Sequence, residues 1–177
     1  MIHYVTPYRT DRNLGKAYND TFKLIPDEDW LIITDYDVLL LLPDTTALIH
    51  KYVEQFPDSD MFVCWANRTY PTNQQLHDNQ VSNNDSVLHH ITIAKQLSEQ
   101  PLTVTRITEN ISGFLMVIPK RVWNEIKFVE DLKCLGVDTM FSRAMHAANK
   151  KIYRMNTVYI WHTYRLENGI NDKKHLL

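Results

Sequence analysis

The chain has 177 residues, a length that suits a single domain. Hydrophobic residues make up 44 % of it and the formal net charge is −2, so bulk charge indicates neither nucleic acid nor a membrane surface as a partner. Its two cysteines, Cys64 and Cys134, predict neither a disulfide framework nor a thiolate metal site. No apolar run approaches the ~20 residues of a membrane span, and the first residues do not resemble a signal peptide. We therefore expect a soluble, cytoplasmic protein.

The first part of the chain alternates short apolar runs with amphipathic segments. The runs at 2–5, 29–34 and 61–66 predict strands, because they are short, apolar and rich in β-branched residues. The segments 13–25 and 45–56 predict helices, since their apolar residues recur at i, i+3 and i+4. This order of elements is typical of an α/β protein.

The rest of the chain continues the alternation after a long polar segment. Residues 67–86 are rich in Asn and Gln and predict a surface loop of the kind that is often functional. Beyond this loop we predict helices at 87–100, 120–126 and 138–149 and strands at 102–108, 113–118 and 151–162. The predicted fold is α/β with a mostly parallel, doubly wound sheet flanked by helices. One compact domain over 1–165 is followed by a polar tail, 166–177.

Two aspartates follow the second predicted strand and predict a metal site. Asp35 and Asp37 are two residues apart, so in extended backbone their carboxylates point to the same side. Like charges on one side repel unless a cation lies between them, and Mg²⁺ and Mn²⁺ favour such oxygen ligands. Ligands of open α/β sheets bind at the carboxyl ends of strands, where this pair lies. The alternative is that both aspartates only form a turn.

Two classes of enzyme carry an Asp-x-Asp motif at such a strand end. In haloacid-dehalogenase-type phosphatases the first carboxylate is a nucleophile and the second an acid/base. That class normally has the motif near the start of the chain, and it also needs a downstream Ser/Thr, a lysine and an acidic pair. The sequence has no clear acidic pair at a late strand end. In nucleotide-sugar glycosyltransferases the motif binds the metal that holds the diphosphate.

Four segments in order resemble the second class. They are "NLGKAYND" (13–20), "DWLIITDYDVLLLLPD" (29–44), "ISGFLMVIPKRVWNEI" (111–126) and "GVDTMFSRAMHAANKKIYRMNTVYIWHTYR" (136–165). Together they resemble family-2-type glycosyltransferases of short bacterial or phage type. The resemblance implies a single Rossmann-like domain of the GT-A fold. It also implies transfer of a sugar from a nucleoside-diphosphate sugar, with UDP favoured, to an acceptor hydroxyl with inversion.

The resemblance also assigns roles to individual residues. It implies that Asp35, Asp37 and His162 bind Mn²⁺ or Mg²⁺, with the imidazole favouring Mn²⁺. Asp138 matches the general base; Glu130-Asp131 is an upstream alternative, and Asp138 could instead be only a helix N-cap. The residues expected to bind the nucleotide sugar are Pro7, Tyr8, Arg9, Asp11, Asn13, Lys16, Asp35, Gly113, Phe114 and Arg165.

The chain departs from the family pattern in its nucleotide-binding part. The usual second strand that ends in an acidic base contact is missing or shortened, and Asp11 is the nearest candidate for that contact. We expect a glycan or another hydroxyl compound as acceptor. Because the chain is small, the polar loop, a partner or a second copy of the chain could supply part of the acceptor region. A non-catalytic module that binds a sugar nucleotide or glycan remains a further alternative.

Overall fold

The computed structural model describes residues 1–76, 84–132 and 134–163. Over these residues the chain forms a mixed, open seven-stranded sheet with five α-helices and one 3₁₀ helix. The α/β class is therefore confirmed, and the arrangement is compatible with a Rossmann-like fold. Arg165 and the polar tail at 166–177 lie outside the described residues.

The observed elements follow the predicted ones closely. Strands β1 to β7 are Ile2–Val5, Trp30–Thr34, Val38–Leu39, Met61–Ala66, Val104–Ile107, Leu115–Pro119 and Ile152–His162. Helices α1 to α5 are Leu14–Phe22, Thr45–Gln55, Val87–Ser98, Lys120–Glu125 and Val137–Ala147, and the 3₁₀ helix is Thr72–Gln74. Only β3 and the 3₁₀ helix were not expected; each is too short to show a period in the sequence.

The prediction of a mostly parallel sheet is wrong. The strand order is β1-β2-β6-β4-β7-β3, with β5 also paired to β7. Only the β1–β2 and β4–β7 pairs are parallel, while the other four pairs are antiparallel. The reason is that β6 lies between β2 and β4 and runs against both. A continuous apolar run shows that a strand is buried on both faces but does not give its direction.

Helices cover both faces of the sheet. Leu31 and Ile33 of β2 pack into a cluster with α1 and α5, whereas Ile32 points to the other face and packs with residues of α2. Each of these three side chains is at most 1 % exposed. This two-sided burial explains why the strand sequence is apolar without alternation.

An irregularity interrupts the pairing of β4 with β7. Cys64 pairs with Met155, but the next residue, Trp65, pairs with Tyr159, so β7 contains three additional residues at this point. The hydroxyl of Tyr52 supports the irregular segment, because it accepts from the Thr157 backbone N–H at 3.1 Å and lies 2.8 Å from the Thr157 hydroxyl.

No helix in the described ranges is long and apolar enough to cross a bilayer.

Candidate metal and active site

Four strands bring polar residues to one end of the sheet. The carboxyl end of β2 is level with the amino end of β6, since Thr34 pairs with Leu115. The carboxyl ends of β4 and β7 are level in the same way, since Ala66 pairs with Ile160. The residues that follow or precede these ends therefore meet at the position where open α/β sheets bind ligands.

Asp35, Asp37 and His162 form one group at this end of the sheet. Each offers one ligand atom, and the three atoms all lie within 4.8 Å of one another. The His162 Nε2 atom is 3.4 Å from Asp37 Oδ1. An ion with ligand distances of ~2.1 Å allows at most ~4.2 Å between two of its ligands, so small side-chain adjustments would let all three bind one ion.

The residues after β4 orient His162. Its Nδ1 lies 2.9 Å from the carbonyl oxygen of Arg68, so Nδ1 carries the proton and donates, which leaves Nε2 directed towards Asp37. The Asn67 side-chain oxygen accepts from the His162 backbone N–H at 2.8 Å. The imidazole also contacts the Phe114 ring, with 5.1 Å between the ring centres. This is how proteins usually fix a histidine that binds a metal.

Asp35 lies in an environment that disfavours its charge. Burial raises its pKa to about 6, and the negative charges of Asp37 and Asp138 act in the same direction, although His162 opposes them. Its backbone N–H donates to the Phe114 carbonyl at 3.0 Å. The nearby Tyr18 hydroxyl acts against the effect of burial and lowers the pKa of Asp35. A divalent cation would offset this excess of negative charge, so the donor set and its electrostatics fit such an ion.

Asp138 lies beside this group, in the first turn of α5. Its Oδ2 accepts from the Gly113 backbone N–H at 2.8 Å, and its Oδ1 accepts from the Thr139 N–H at 2.7 Å. A Cβ on residue 113 would lie 3.0 Å from the Asp138 Cβ. The close contact between the residue 113 backbone and Asp138 therefore favours glycine at this position. Gly136 occupies the N-cap position, so Asp138 is not the helix N-cap.

Gly113 and Phe114 connect the two halves of the site. Gly113 holds Asp138, and the next residue, Phe114, accepts from Asp35 and contacts His162. Both residues were expected to bind the nucleotide sugar, and the structure brings them between the metal group and Asp138.

The alternative base, Glu130, has a different environment. Its carboxylate accepts from the Asn19 side chain at 2.9 Å, and Asn19 also donates to the Phe128 carbonyl at 2.9 Å. These contacts attach the segment after α4 to α1. The Glu130 carboxylate is therefore bound to Asn19 of α1. Its neighbour Asp131 is exposed to solvent.

The residues expected to bind the nucleotide follow β1 at the same end of the sheet. The Thr6 and Thr34 hydroxyls are 3.0 Å apart, so Pro7 leaves the sheet next to Asp35. Tyr8 is 82 % exposed. The chain then passes to Arg9, which pairs with Asp11 at 2.7 Å and Asp20 at 3.2 Å.

Asp11, Asn13 and Lys16 make contacts of their own around the start of α1. The guanidinium of Arg9 lowers the pKa of Asp11 to about 2. Asn13 caps α1 by accepting from the Lys16 backbone N–H, and the Lys16 ammonium lies 3.5 Å from Asp20. These contacts tie the segment after β1 to α1.

Sequence reasoning missed several residues that shape the site. Tyr18 resembled a core residue of an amphipathic helix, and its stripe position gave no sign of the bond to Asp35. Asn67 and Arg68 begin the polar loop directly after a buried strand, which is a position that could have indicated their role. Gln74 is fully buried, and its amide exchanges two hydrogen bonds with the backbone of Ser112, at 2.7 and 3.1 Å. No sequence pattern marked Gln74.

No family model matches the chain, and no curated protein matches it significantly.

Proposed function

We propose that the chain is a metal-dependent glycosyltransferase of the GT-A fold that transfers a sugar from a nucleoside-diphosphate sugar, preferably a UDP-sugar, to an acceptor hydroxyl. The observation that carries the proposal is the group of Asp35, Asp37 and His162 at one end of the sheet, with Asp138 beside it. This arrangement offers a cation site and a separate carboxylate within one site. The resemblance of four sequence segments to family-2-type glycosyltransferases supports the same activity.

Asp35, Asp37 and His162 would hold the cation, and Mn²⁺ suits a mixed oxygen and nitrogen donor set better than Mg²⁺ does. When bound, the cation supplies positive charge for the diphosphate leaving group. The Tyr18 hydroxyl lowers the pKa of Asp35 and so favours the ionised form that binds a cation, and the Arg68 carbonyl keeps the imidazole in the tautomer that presents Nε2.

Asp138 is the proposed general base. The acceptor oxygen forms its bond to the anomeric carbon as the bond from that carbon to the diphosphate oxygen breaks. The proton of the acceptor hydroxyl passes to Asp138, and the nucleoside diphosphate leaves with the bonding electron pair. Attack from the face opposite the leaving group inverts the anomeric carbon. The Gly113 N–H bond to Oδ2 fixes the position of the carboxylate beside the metal group.

The segment after β1 would receive the nucleoside. Tyr8 presents an exposed aromatic ring next to the end of β1, where it could stack on the base. Arg9 and Asp11 form an ion pair, so a nucleotide would meet a pair of opposite charges there.

An assay of free nucleoside diphosphate tests the proposal. The chain is incubated with Mn²⁺ and a panel of UDP-, GDP- and ADP-sugars, and release of the diphosphate is measured with and without chelator. We expect Mn²⁺-dependent release that Asp37→Ala lowers by more than about 100-fold, because a ligand of the cation is lost. Asp44→Ala is the matched control, since Asp44 is exposed and makes no side-chain cap bond at α2.

Other outcomes would favour the alternatives. Phosphate release from phosphomonoesters that is abolished by Asp35→Asn would indicate a haloacid-dehalogenase-like phosphatase. Metal-dependent binding of UDP or a nucleotide sugar without any release would indicate a binding module.

A further inference from the structure

A cavity of about 730 Å³ opens beside Asp138. Three segments line it: residues 70–72 around the 3₁₀ helix, residues 109–112 before β6, and the start of α5 with Asp138 and Thr139. Its volume falls in the range of ~300–1,000 Å³ that is typical of sites for small molecules. The cavity is thus large enough for a ligand that reaches the proposed base.

Hydrogen bonds between two of the segments hold the walls. The buried Gln74 amide exchanges two bonds with the Ser112 backbone. The Asn73 side chain donates to the Glu109 carboxylate at 3.0 Å and to the Asn110 carbonyl at 3.2 Å. All four bonds are made within the protein, so they hold the walls in place and reduce the cost of ordering on binding.

The lining combines one aromatic face with many polar groups. Tyr70 is 70 % exposed, so its ring is accessible for stacking. Thr72, Ser112 and Thr139 supply hydroxyls, and Asn110 supplies an amide that accepts from the Arg143 guanidinium at 3.3 Å. Groups of this kind pair well with a ligand that has an apolar ring face and hydroxyl edges.

The charges of the cavity argue against an anionic ligand. Glu109 and Asp138 contribute negative charge and Arg143 contributes positive charge, so the lining has no excess of cations. The apolar part is confined to Tyr70, Pro71 and Ile111, which is too little for a lipid chain.

We propose that this cavity is the acceptor site and that it takes the end of a neutral saccharide, with one sugar ring stacked on Tyr70 and its hydroxyls bound by Arg143. The assignment as acceptor rests on the proposed function, because it is the presence of Asp138 that gives the bound hydroxyl a base. The binding of a neutral saccharide by the cavity does not rest on it.

Saturation-transfer NMR with lactose, cellobiose and maltose at millimolar concentration tests the proposal on the full chain without metal or nucleotide. Titration calorimetry then gives the affinity for the disaccharide with the strongest transfer. We expect that Tyr70→Ala and Arg143→Ala each weaken the affinity by about tenfold. Tyr70→Phe keeps the ring and should retain most of the affinity. Arg106→Ala removes an exposed arginine from β5, outside the cavity, and should have no effect.

The proposal would be overturned if none of the three disaccharides showed a saturation-transfer signal. It would also be overturned if Tyr70→Ala left the affinity for the disaccharide unchanged. Both Tyr70 and Arg143 are exposed, so their variants should fold normally. Asp37→Ala separates this proposal from the proposed function, because it should abolish Mn²⁺-dependent binding of UDP and leave binding of the disaccharide intact. Disaccharide binding by a chain that binds none of UDP, GDP and ADP with Mn²⁺ would keep the saccharide site and refute the glycosyltransferase.

Discussion

Aspartates at the two ends of the sheet have opposite electrostatic environments. At the amino ends of the strands, Asp29 accepts from the Met1 amino group at 2.5 Å and lies 2.7 Å from His3 Nε2. These hydrogen bonds lower the pKa of Asp29. Asp60, which precedes β4 at the same end, pairs with Arg121 at 2.6 Å. Here the negative charges are matched by cations of the protein itself.

At the carboxyl ends, Asp35 has a raised pKa because it is buried and because Asp37 and Asp138 lie near it. The difference shows how a structural aspartate can be distinguished from a candidate functional one in this fold. A structural carboxylate is stabilised by the partners that the chain provides. A carboxylate that is held in its charged form at some cost is a candidate to bind something from outside.

The largest expected effect comes from Asp138→Asn. The amide cannot accept the proton of the acceptor hydroxyl, so we expect turnover to fall by about 10²- to 10⁴-fold. Binding of UDP with Mn²⁺, measured by calorimetry, should change little. Glu130→Gln is the control for the alternative base. If Glu130→Gln abolishes turnover and Asp138→Asn does not, the assignment of the base is wrong.

A second variant, His162→Gln, tests whether the imidazole is a ligand. We expect the affinity for Mn²⁺ to fall by at least about tenfold and the preference for Mn²⁺ over Mg²⁺ to decrease, because an imidazole favours the transition metal. Calorimetry with each metal in the presence of UDP measures both quantities. Unchanged affinity for Mn²⁺ would remove His162 from the site.

Neutralising Asp35 at the carboxyl ends of the strands and Asp29 at their amino ends should change the stability of the protein in opposite directions. In the metal-free chain, Asp35→Asn should raise the free energy of unfolding at pH 7 by about 1–3 kcal/mol, because burial of the charge is relieved. Asp29→Asn should lower it, because the bonds to Met1 and His3 are weakened. Urea denaturation monitored by tryptophan fluorescence gives both values. Effects of the same sign would contradict the comparison.

The contributions of Asp35 and Asp29 to the free energy of unfolding change with pH in opposite directions. Asp35 has a raised pKa, so the folded state binds its proton more tightly than the unfolded state does. Its cost to stability therefore grows as the pH rises from about 4 through about 6 and is constant above that range. Asp29 has a lowered pKa, so its contribution is present above about pH 4 and is lost as the pH falls through its folded value. Urea titrations across this pH range, with each variant, measure both slopes.

The smallest expected effect is that of Tyr18→Phe. The Tyr18 hydroxyl donates to Asp35 and lowers its pKa, so its removal should raise the pKa of Asp35 by a fraction of a unit. Because a metal binds the ionised carboxylate, the midpoint of Mn²⁺ binding against pH should move upward by a similar amount. A downward shift would show that the hydroxyl does not stabilise the charged form.

The hydrophobic pattern of the sequence was sufficient to predict most elements. For example, the strand predicted at 61–66 is observed as Met61–Ala66, and the helix predicted at 138–149 is observed as Val137–Ala147. The Asp-x-Asp spacing at the end of a predicted strand predicted a metal site. Spacing could not select His162 or Asp138, which are more than 100 residues away in the sequence; only the resemblance suggested them.

Other features required three-dimensional information. The direction of β6 depends on its neighbours in the sheet, and its own sequence is compatible with either direction. Tyr18 and Gln74 act through contacts between distant segments, so their local sequence could not reveal them. A tyrosine on the buried face of a helix is interpreted from sequence as a core residue, even when its hydroxyl lies at a functional site.

The irregularity between β4 and β7 determines where the imidazole ends. Three additional residues shorten the advance of β7 along its neighbour by about 10 Å, so His162 stops level with Arg68 instead of projecting beyond the sheet. Since three is an odd number, the same residues also exchange the faces on which the later side chains of β7 lie. The level that this histidine reaches is therefore set several residues upstream, and its pairing with Val38 of β3 holds it there.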